Sequence, residues 1–440
     1  MTFRLKTLGH ATMMVLEDTQ PLIATDPWLI GSAYWRSWWL ERYPREEEIE
    51  LVRRADELYI THSHPDHFHW PSLRHLGPRS TIHPTFPRNT VPEFLEQNGY
   101  SAKLMTPWRW YPLGKRARMA SIPNLLDDSI LVVDTPSASI VNLNDAAPRS
   151  GLLSKIRERL LSPGKRVVVL RSYSPASAVV SMFVDDRRVP LKSKRDYATT
   201  ARAMAESLGA SDFVPFASQA FFNRSDSRWA NEYKVKLSDL REHWGTGSVR
   251  LCEPFVDFDL DTGSYTSSYE PNPELESVHL EKVRERERAE SGFRLPADFD
   301  YNLKKYMDEL TLLGTFFRRG IGWRLTSGAE RFYNTRTKRL DNKIPDQYDI
   351  VVTLPDMVLD EALRNNMLTD LGISMFIRVD TKVGLRQTYA FFLMMGIHDY
   401  GYLGNIRSTL QCARFYAPAI LPMVVSDFRK RLKPQREARA

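Results

Sequence analysis

Three histidines and one aspartate have the types and the spacing of a metal site: His62, His64, Asp66 and His67. Neutral imidazole and carboxylate are the usual protein ligands of zinc, iron and manganese. Residues two apart on an extended segment share a face, so His62 and His64 can chelate one ion while Asp66 and His67 hold a second. A histidine-rich surface loop is the alternative. It is disfavoured because four of the 10 histidines of the chain fall between residues 62 and 69.

The segments around this run predict the rigid elements that would position it. Residues 55–60 are typical of a strand, and a loop at a strand end can aim several side chains at one point. Further strands are predicted at 22–25, 130–134, 138–145, 167–170 and 213–216, and helices at 46–55 and 197–208. Strands and helices that alternate in this way indicate a layered α/β domain.

The character of the sequence changes beyond about residue 265. A charged helix is predicted at 280–290, strands at 348–355 and 373–379, and a helix between them at 357–365. A chain of 440 residues exceeds one ordinary domain. We therefore expect a catalytic domain over residues 1–270 and a C-terminal α+β accessory module over residues 280–440.

Composition narrows the classes of partner. A formal net charge of +7 and a pI near 9.2 suit an anionic small molecule or peripheral contact with a phospholipid surface, but the charge is too diffuse for nucleic acid. Two distant cysteines, Cys252 and Cys412, exclude a disulfide framework and favour a reducing compartment. Because no leader pattern and no apolar run of about 18 residues is present, we expect a cytoplasmic protein without a transmembrane segment.

The run from His62 to His67 matches the His-x-His-x-Asp-His motif of the metallo-β-lactamase-fold superfamily. Within that superfamily, residues 25–40, 60–67, 142–145 and 212–226 resemble the catalytic domain of CMP-N-acetylneuraminate hydroxylases. The resemblance covers about residues 5–265 and implies a four-layered αβ/βα sandwich. The Rieske iron–sulfur domain of those hydroxylases is expected to be missing, since no Cys-x-His pair is present to bind its cluster.

The resemblance also implies a ligand set. His62, His64, Asp66 and His67 carry over as ligands, and Asp145 matches the carboxylate that bridges two ions. The positions of two further family histidines are held by Asn124 and Asn223, whose neutral amides are poor ligands for a first-row metal. Either Asp127 or Asp128 supplies a carboxylate in their place, which would suit iron better than zinc, or one of the two sites is degenerate.

Further residues are candidates for the surroundings of the metal. His10 is a candidate catalytic group, with a hydrogen-bonded core histidine as the equal alternative, and Asp66 is a candidate general base. Asp26 is expected to hold a ligand histidine through its far nitrogen. The candidates for substrate contact are two aromatic residues of a pocket wall, one cation and one amide: Trp28, Trp38, Arg171 and Asn223.

These observations favour an oxidoreductase, a monooxygenase that binds one or two iron ions and hydroxylates an anionic small molecule with electrons from an external donor. Two histidines and one carboxylate with open positions are the ligands of non-haem iron oxygenases. The first alternative is a hydrolase of an ester, amide or phosphodiester, with zinc as the metal that activates water. The second is a binding protein with a degenerate metal site.

Overall fold

A computed structural model of the chain describes residues 2–124, 127–176, 181–184, 187–190, 192–270, 279–403 and 407–415, with backbone alone for residues 181–190.

Short strands dominate the first part of the chain and three helices interrupt them. In chain order these elements are β1 (Phe3–Leu8), β2 (Thr12–Glu17), β3 (Gln20–Thr25), β4 (Ser32–Ala33), β5 (Trp38–Leu40), α1 (Glu46–Arg53), β6 (Glu57–Tyr59), α2 (Trp70–Leu76), β7 (Ser80–Pro84), α3 (Thr90–Gln97), β8 (Ser101–Met105), β9 (Tyr111–Leu113) and β10 (Ala117–Pro123).

Longer buried strands and three more helices follow, together with a 3-10 helix over Arg228–Tyr233. These elements are β11 (Ser129–Asp134), β12 (Ala138–Asn144), α4 (Ser150–Leu160), β13 (Arg166–Arg171), β14 (Ser181–Val184), β15 (Arg187–Pro190), α5 (Lys194–Ser207), β16 (Asp212–Pro215), β17 (Ala220–Phe222), α6 (Leu237–Trp244), β18 (Arg250–Leu251), β19 (Val256–Asp259) and β20 (Tyr265–Ser267).

The C-terminal part mixes helices and strands. Its elements are α7 (Leu280–Ser291), α8 (Phe299–Glu309), α9 (Leu313–Phe316), β21 (Ile321–Leu325), β22 (Glu330–Asn334), β23 (Arg339–Asp341), β24 (Ile350–Leu354), α10 (Asp356–Arg364), α11 (Leu368–Leu371), β25 (Arg378–Thr381) and α12 (Leu385–Asp399).

Two large sheets pack face to face with helices on their outer sides. The first has the strand order β20-β19-β1-β2-β3-β6-β7-β8, and the second has the order β18-β16-β13-β12-β11-β10-β9. One apolar core lies between the sheets, a second joins the first sheet to α1, α2 and α3, and a third joins the second sheet to α4, α5 and α6. Strands buried on both faces account for runs such as Ile130 to Val133, which alternation alone does not explain. The predicted four-layered αβ/βα sandwich is confirmed.

The C-terminal part forms a further seven-stranded sheet with the order β15-β14-β25-β24-β21-β22-β23. Two of its strands, β14 and β15, come from within residues 1–270, and β14 pairs in parallel with β25. The division at about residue 270 stays a prediction, and residues 416–440 of the predicted module lie outside the described part. The predicted strand at 373–379 begins too early, because Met375 has a φ of +68° and the regular strand starts at Arg378.

One apolar core joins the C-terminal part to the sandwich. Its members include Trp28, Tyr34 and Trp38 from the first part and Trp323 and Phe391 from the C-terminal part. A small sheet with the order β17-β5-β4 lies at this contact, within residues that the sequence marks only as aromatic. Among the described residues, no helix is both long enough and apolar enough to cross a bilayer.

Candidate metal centre

Strand ends from both large sheets meet at one edge of the sandwich. Strands β3 and β6 run parallel, so Asp26, directly after β3, lies beside the loop after β6 that carries residues 61–67. On the facing sheet Asp145 follows β12, and Asp128 precedes β11. The tight turn between β1 and β2 adds His10. Loops on parallel strand ends thus bring residues that are far apart in sequence to one point.

His62 and His64 face each other across a short gap. Nε2 of His62 lies 2.9 Å from Nδ1 of His64. The other ring nitrogen of His62, Nδ1, lies 3.0 Å from Oγ1 of Thr61. Burial, reinforced by the imidazoles of His67 and His64, holds the pKa of His62 well below its usual range. A neutral imidazole with a free lone pair is the form that binds a metal ion.

His67 is held from behind by Asp26. Its Nδ1 lies 2.9 Å from Oδ2 of Asp26, and both side chains are completely buried. Its Nε2 lies 3.5 Å from Oδ2 of Asp145 and 3.6 Å from Oδ2 of Asp66. Burial opposes protonation, but Asp66, Asp145 and Asp26 together raise the pKa of His67 well above its usual range. The carboxylates therefore create a negative electrostatic potential at this position, which favours a bound cation.

Asp66 is also held on both of its oxygens. The Tyr34 hydroxyl donates to Oδ1 at 2.5 Å, and Nε2 of His10 lies 3.1 Å from Oδ2. Although burial opposes ionisation, the imidazoles of His67 and His10 hold the pKa of Asp66 well below its usual range. Burial and the neighbouring Asp66 carboxylate raise the pKa of Tyr34 well above its usual range, so the phenol keeps the proton that it donates.

Two overlapping triads have the ligand spacing of a metal site. His10, Asp66 and His67 form one, and His62, His67 and Asp145 form the other, each with its candidate ligand atoms within 4.8 Å of one another. Buried atoms without a hydrogen-bond partner include Nε2 of His67 and Oδ1 of Asp145. Buried polar atoms of this kind call for a ligand. The donor set of imidazoles and carboxylates fits a first-row metal ion.

Asn124 and the two aspartates that could replace a family histidine, Asp127 and Asp128, lie beside the loop that carries His62. Asp127 accepts from the Ser63 backbone N–H at 2.9 Å, and Asn124 donates its backbone N–H to the carbonyl of Asp128 at 2.8 Å. Oδ1 of Asp128 lies 3.7 Å from Nδ1 of His62, the nitrogen that faces away from His64. Burial and then Asp145 and Asp127 raise the pKa of Asp128 well above its usual range. Oδ1 of Asp128 is buried without a hydrogen-bond partner, and the role of Asp128 as a ligand stays a prediction.

The two tryptophans predicted to line a pocket surround His10. The ring centroids of Trp28 and Trp38 lie 5.6 Å and 6.0 Å from that of His10. Both indoles are buried, and neither indole N–H has a hydrogen-bond partner. Packing around His10 is their clear structural role, and substrate contact stays a prediction.

The other two predicted substrate residues are also buried. Arg171 ends β13 and donates to the carbonyl of Ser172 at 2.9 Å. Burial lowers its pKa, while Asp145 and Asp128 act in the opposite direction. The Asn223 amide oxygen accepts from Arg228 at 3.1 Å, and its backbone N–H donates to Ser37. Neither residue is part of either metal triad, and their substrate roles stay predictions.

A small cleft opens beside His62 and Ser63. Its other lining residues include Asp127 and, from the segment between β7 and α3, Phe86 and Arg88. No sequence pattern could find this cleft, because several of its lining residues belong to an ordinary strand-to-helix loop between β7 and α3.

Two tyrosines of the site, Tyr34 and Tyr400, were not predicted from the sequence. Tyr34, Trp35 and Arg36 have φ angles of +49°, +54° and +62°, a left-handed run that brings the Tyr34 hydroxyl to Asp66. Such backbone is costly for residues other than glycine and clusters at functional sites. Tyr400, from the C-terminal part, lies with its hydroxyl 3.3 Å from Nε2 of His64. The aromatic residues at 34–39 were a sequence signal for Tyr34. No local sequence pattern points to Tyr400.

Comparison with known proteins gives partial matches. No protein-family model matches the chain. Cytidine monophosphate-N-acetylneuraminic acid hydroxylase of Sus scrofa is 32% identical over 135 residues, which are 29% of this chain and 31% of that protein. The protein of the same name from Asterias rubens is 41% identical over 81 residues, 18% of this chain and 12% of that protein. The chain thus spans about a third or less of the length of these curated relatives.

Similar solved structures have low sequence identity. A CmlA beta-hydroxylase mutant has a TM-score of 0.35 at 18% identity, covering 49% of this chain and 46% of that chain. A metallo hydrolase from Ignicoccus hospitalis has a TM-score of 0.38 at 15% identity, covering 62% of this chain and 100% of that chain. The layered sandwich and the histidine motif at its edge make this a metallo-β-lactamase fold, and part of its sequence is similar to CMP-N-acetylneuraminic acid hydroxylases.

Proposed function

We propose that this chain is an iron-dependent hydroxylase of an anionic small molecule. One observation carries the proposal. The ligand atoms of His62, His67 and Asp145 lie within 4.8 Å of one another. Oδ2 of Asp66 lies 3.6 Å from Nε2 of His67, and Nδ1 of His64 lies 2.9 Å from Nε2 of His62. This arrangement offers each of two ions imidazole and carboxylate donors. Similarity to hydroxylases over part of the sequence supports oxygen chemistry at such a centre.

The chain would hold the metal with His62 and His64 on one side, Asp66 and His67 on the other, and Asp145 between them. When bound, iron would supply the reaction with O2 that hydroxylates a carbon–hydrogen bond. The remaining task of the protein is to orient these ligands. The Tyr34 hydroxyl donates to Oδ1 of Asp66, which leaves Oδ2, 3.6 Å from Nε2 of His67, as the oxygen that would bind an ion.

Oxidation by one O2 that inserts one oxygen atom and releases the other as water consumes two electrons and two protons. Two isolated cysteines and no Cys-x-His pair in this sequence leave the electrons to an external donor. His10 lies behind Asp66, with its ring against Trp28 and Trp38. Its burial suits a ligand or a positioning group better than an acid or base that must exchange protons with water.

The cleft beside His62 is where we place the substrate. It reaches a predicted metal ligand directly, and the Arg88 guanidinium at its wall can pair with a carboxylate or a phosphate. The apolar Phe86 and Val91 line it as well, together with the polar Asn89 and Thr90. The cleft therefore suits a molecule with one anionic group and one less polar part that enters towards the metal.

Isotope incorporation tests this function. The iron-loaded protein is reduced and exposed to 18O2 with CMP-N-acetylneuraminic acid and other anionic sugars and acids as probe substrates. We expect one 18O atom in the product, detected by mass spectrometry. Arg88→Gln should raise KM with a smaller change in kcat, whereas the control Arg54→Gln, directly after helix α1 and outside the lining of the cleft, should change neither. Incorporation of oxygen from H2 18O alone would contradict the proposal.

A hydrolase is the second candidate. The same triads of histidine and aspartate suit zinc, which lowers the pKa of bound water towards neutrality. Stoichiometric zinc with ester, amide or phosphodiester hydrolysis would favour this candidate. Asn124 and Asn223 stand where the resembled family has two histidines, and this supports a degenerate binding site as the third candidate. A protein without bound metal would favour that candidate.

A further inference from the structure

The two ring nitrogens of His64 have different neighbours. Nδ1 faces Nε2 of His62 at 2.9 Å, on the side of the proposed metal. Nε2 points away from that side and lies 3.3 Å from the hydroxyl of Tyr400, which is 336 residues distant in sequence. A neutral imidazole carries one proton, so the nitrogen that binds an ion must be the one without it. If Nδ1 is the ligand atom, Nε2 carries the proton and the Tyr400 oxygen accepts it.

Tyr400 is held firmly enough to act in this way. It follows helix α12, its side chain is buried, and its ring packs with Tyr402 and Ile397. The buried ring thus keeps the phenol oxygen beside His64.

The other two histidines of the run have their outer partners close in the sandwich. Nδ1 of His67 lies 2.9 Å from Asp26, and Nδ1 of His62 lies 3.0 Å from the hydroxyl of Thr61. Partners of this kind set the tautomer and the orientation of a ligand histidine. Of the three, His64 alone takes its outer partner from the C-terminal part.

We propose that Tyr400 is a positioning residue of the metal centre, which accepts the Nε2–H of His64 and directs Nδ1 of that ring to the ion. The inference rests on the proposed function, since it needs a metal at His62 and His64. Its consequence is that the C-terminal part completes the metal site, a role beyond packing against the sandwich.

The surrounding contacts keep the two parts in fixed register. The Ser37 hydroxyl donates to the carbonyl of Ser374 at 2.6 Å, and the rings of Trp35 and Phe376 are 6.0 Å apart. Both contacts join the loop that carries Tyr34 to the segment after α11. The position of the Tyr400 hydroxyl is thus set by a buried interface, as a positioning role requires.

The test compares Tyr400→Phe with Tyr333→Phe. Each removes one phenol oxygen from the C-terminal part, but the Tyr333 hydroxyl bonds Asp308, away from the metal. We expect iron or cobalt affinity, measured by competition with a chromophoric chelator, to fall roughly 10- to 100-fold in Tyr400→Phe alone. The thermal unfolding of the two metal-free variants should be alike.

Nitrogen-15 NMR of labelled histidine adds a second measurement. Its result would not change with Tyr400→Phe if Tyr400 had only a structural role. In the unsubstituted protein His64, assigned with His64→Gln, should be the Nε2–H tautomer, and Tyr400→Phe should reduce the population of that tautomer. If Tyr400→Phe fails to fold, the tautomer of His64 in the unsubstituted chain still tests the inference. An Nδ1–H tautomer there would overturn the inference.

The outcomes separate the two proposals. If the unsubstituted protein binds metal and Tyr400→Phe binds it equally tightly, Tyr400 has no positioning role and the proposed function stands. If the unsubstituted protein binds no metal, both fail. Loss of affinity in Tyr400→Phe together with the expected tautomer supports both.

Discussion

Nδ1 of His67 lies 2.9 Å from Oδ2 of Asp26, and neither side chain has exposed surface beyond a trace. Asp26 also accepts from the backbone N–H of Thr61 at 2.7 Å and from its hydroxyl at 2.6 Å. A carboxylate can only accept, so the proton of His67 belongs on Nδ1. In the neutral ring, the form that binds a metal ion, Nε2 then carries the lone pair on the side of Asp66 and Asp145.

Replacing Asp26 by asparagine should change the tautomer of His67, while the side chain at position 26 keeps almost the same shape. An amide N–H2 in the place of Oδ2 would donate to Nδ1 of His67 and move the ring proton to Nε2. We expect metal affinity to fall about 10- to 100-fold, measured by chelator competition. Asp196→Asn, which alters an exposed capping box, is the control. Equal affinity in the two variants would show that Asp26 does not orient a ligand.

The buried Arg224 joins the sandwich to helix α7. Its guanidinium donates to both oxygens of Glu290 at 2.8 Å and to both oxygens of Asp226 at 2.9 Å. Arg224→Ala would leave Glu290 buried with Arg286 as its remaining partner. We expect the free energy of unfolding to fall by about 3 kcal/mol, at the low end for a broken buried pair. Urea denaturation measures the change.

An exposed ion pair provides the matched control. Arg288 bonds Glu281 at 2.7 Å, and both side chains are mostly exposed to water. Arg288→Ala should cost less than about 1 kcal/mol. Equal losses in Arg224→Ala and Arg288→Ala would show that burial of the Arg224 pair does not matter to stability.

The stability of the fold should decrease at acid pH in part because of His83, on β7. Burial lowers its pKa to about 3, whereas an unfolded histidine titrates near 6.5. Between these values the unfolded chain binds a proton that the folded chain does not, so the free energy of unfolding falls as the pH falls. From pH 7 to pH 5 this group should contribute a loss of about 2 kcal/mol.

The substitution His83→Gln should remove that part of the pH dependence in the metal-free protein, measured by urea denaturation at both pH values. A glutamine keeps a polar atom for the Thr81 hydroxyl, which bonds Nε2 of His83 at 2.8 Å. His243→Gln, at the partly exposed end of α6, is the control and should leave the pH dependence as it is. An unchanged slope in His83→Gln would contradict the prediction.

Gly9 sets the position of His10 through its backbone. Its φ is +56°, and an added Cβ would lie 2.9 Å from the carbonyl oxygen of Trp28. Gly9→Ala should cost about 1 to 2 kcal/mol for the left-handed backbone and about 1 to 3 kcal/mol more for the clash. Gly164 has a φ of +81°, and a Cβ added there would meet nothing within 4 Å. Gly164→Ala should therefore lose only the free energy that the left-handed backbone costs. Equal unfolding midpoints in urea would contradict this reading of the turn.

Local patterns predict the parts of this molecule that depend on local chemistry. The strand before His62, the buried strands β11 and β13 and the helix α5 follow from hydrophobic periodicity. The ligand run and the outer role of Asp26 follow from residue type and strand position. The geometry around Asp26 agrees with its expected role.

Contacts between distant segments leave no such pattern. The left-handed run at Tyr34 contains no glycine, so turn chemistry does not signal it. Tyr400 reaches His64 only because α12 packs onto the sandwich, and strand β14 joins a sheet whose other long strands lie more than 100 residues later. Asn223 marks a missing family ligand in the sequence, but only the structure shows the adjacent Arg224 binding Glu290.

Iron content and oxygen uptake test the central claim most directly. Protein purified after growth with iron is assayed for metal per chain, reduced under argon and mixed with O2, with His67→Ala and His243→Ala beside it. The account predicts one or two irons per chain and O2 consumption by the reduced protein, both lost in His67→Ala and retained in His243→Ala. Stoichiometric zinc, or iron that survives His67→Ala, would contradict it.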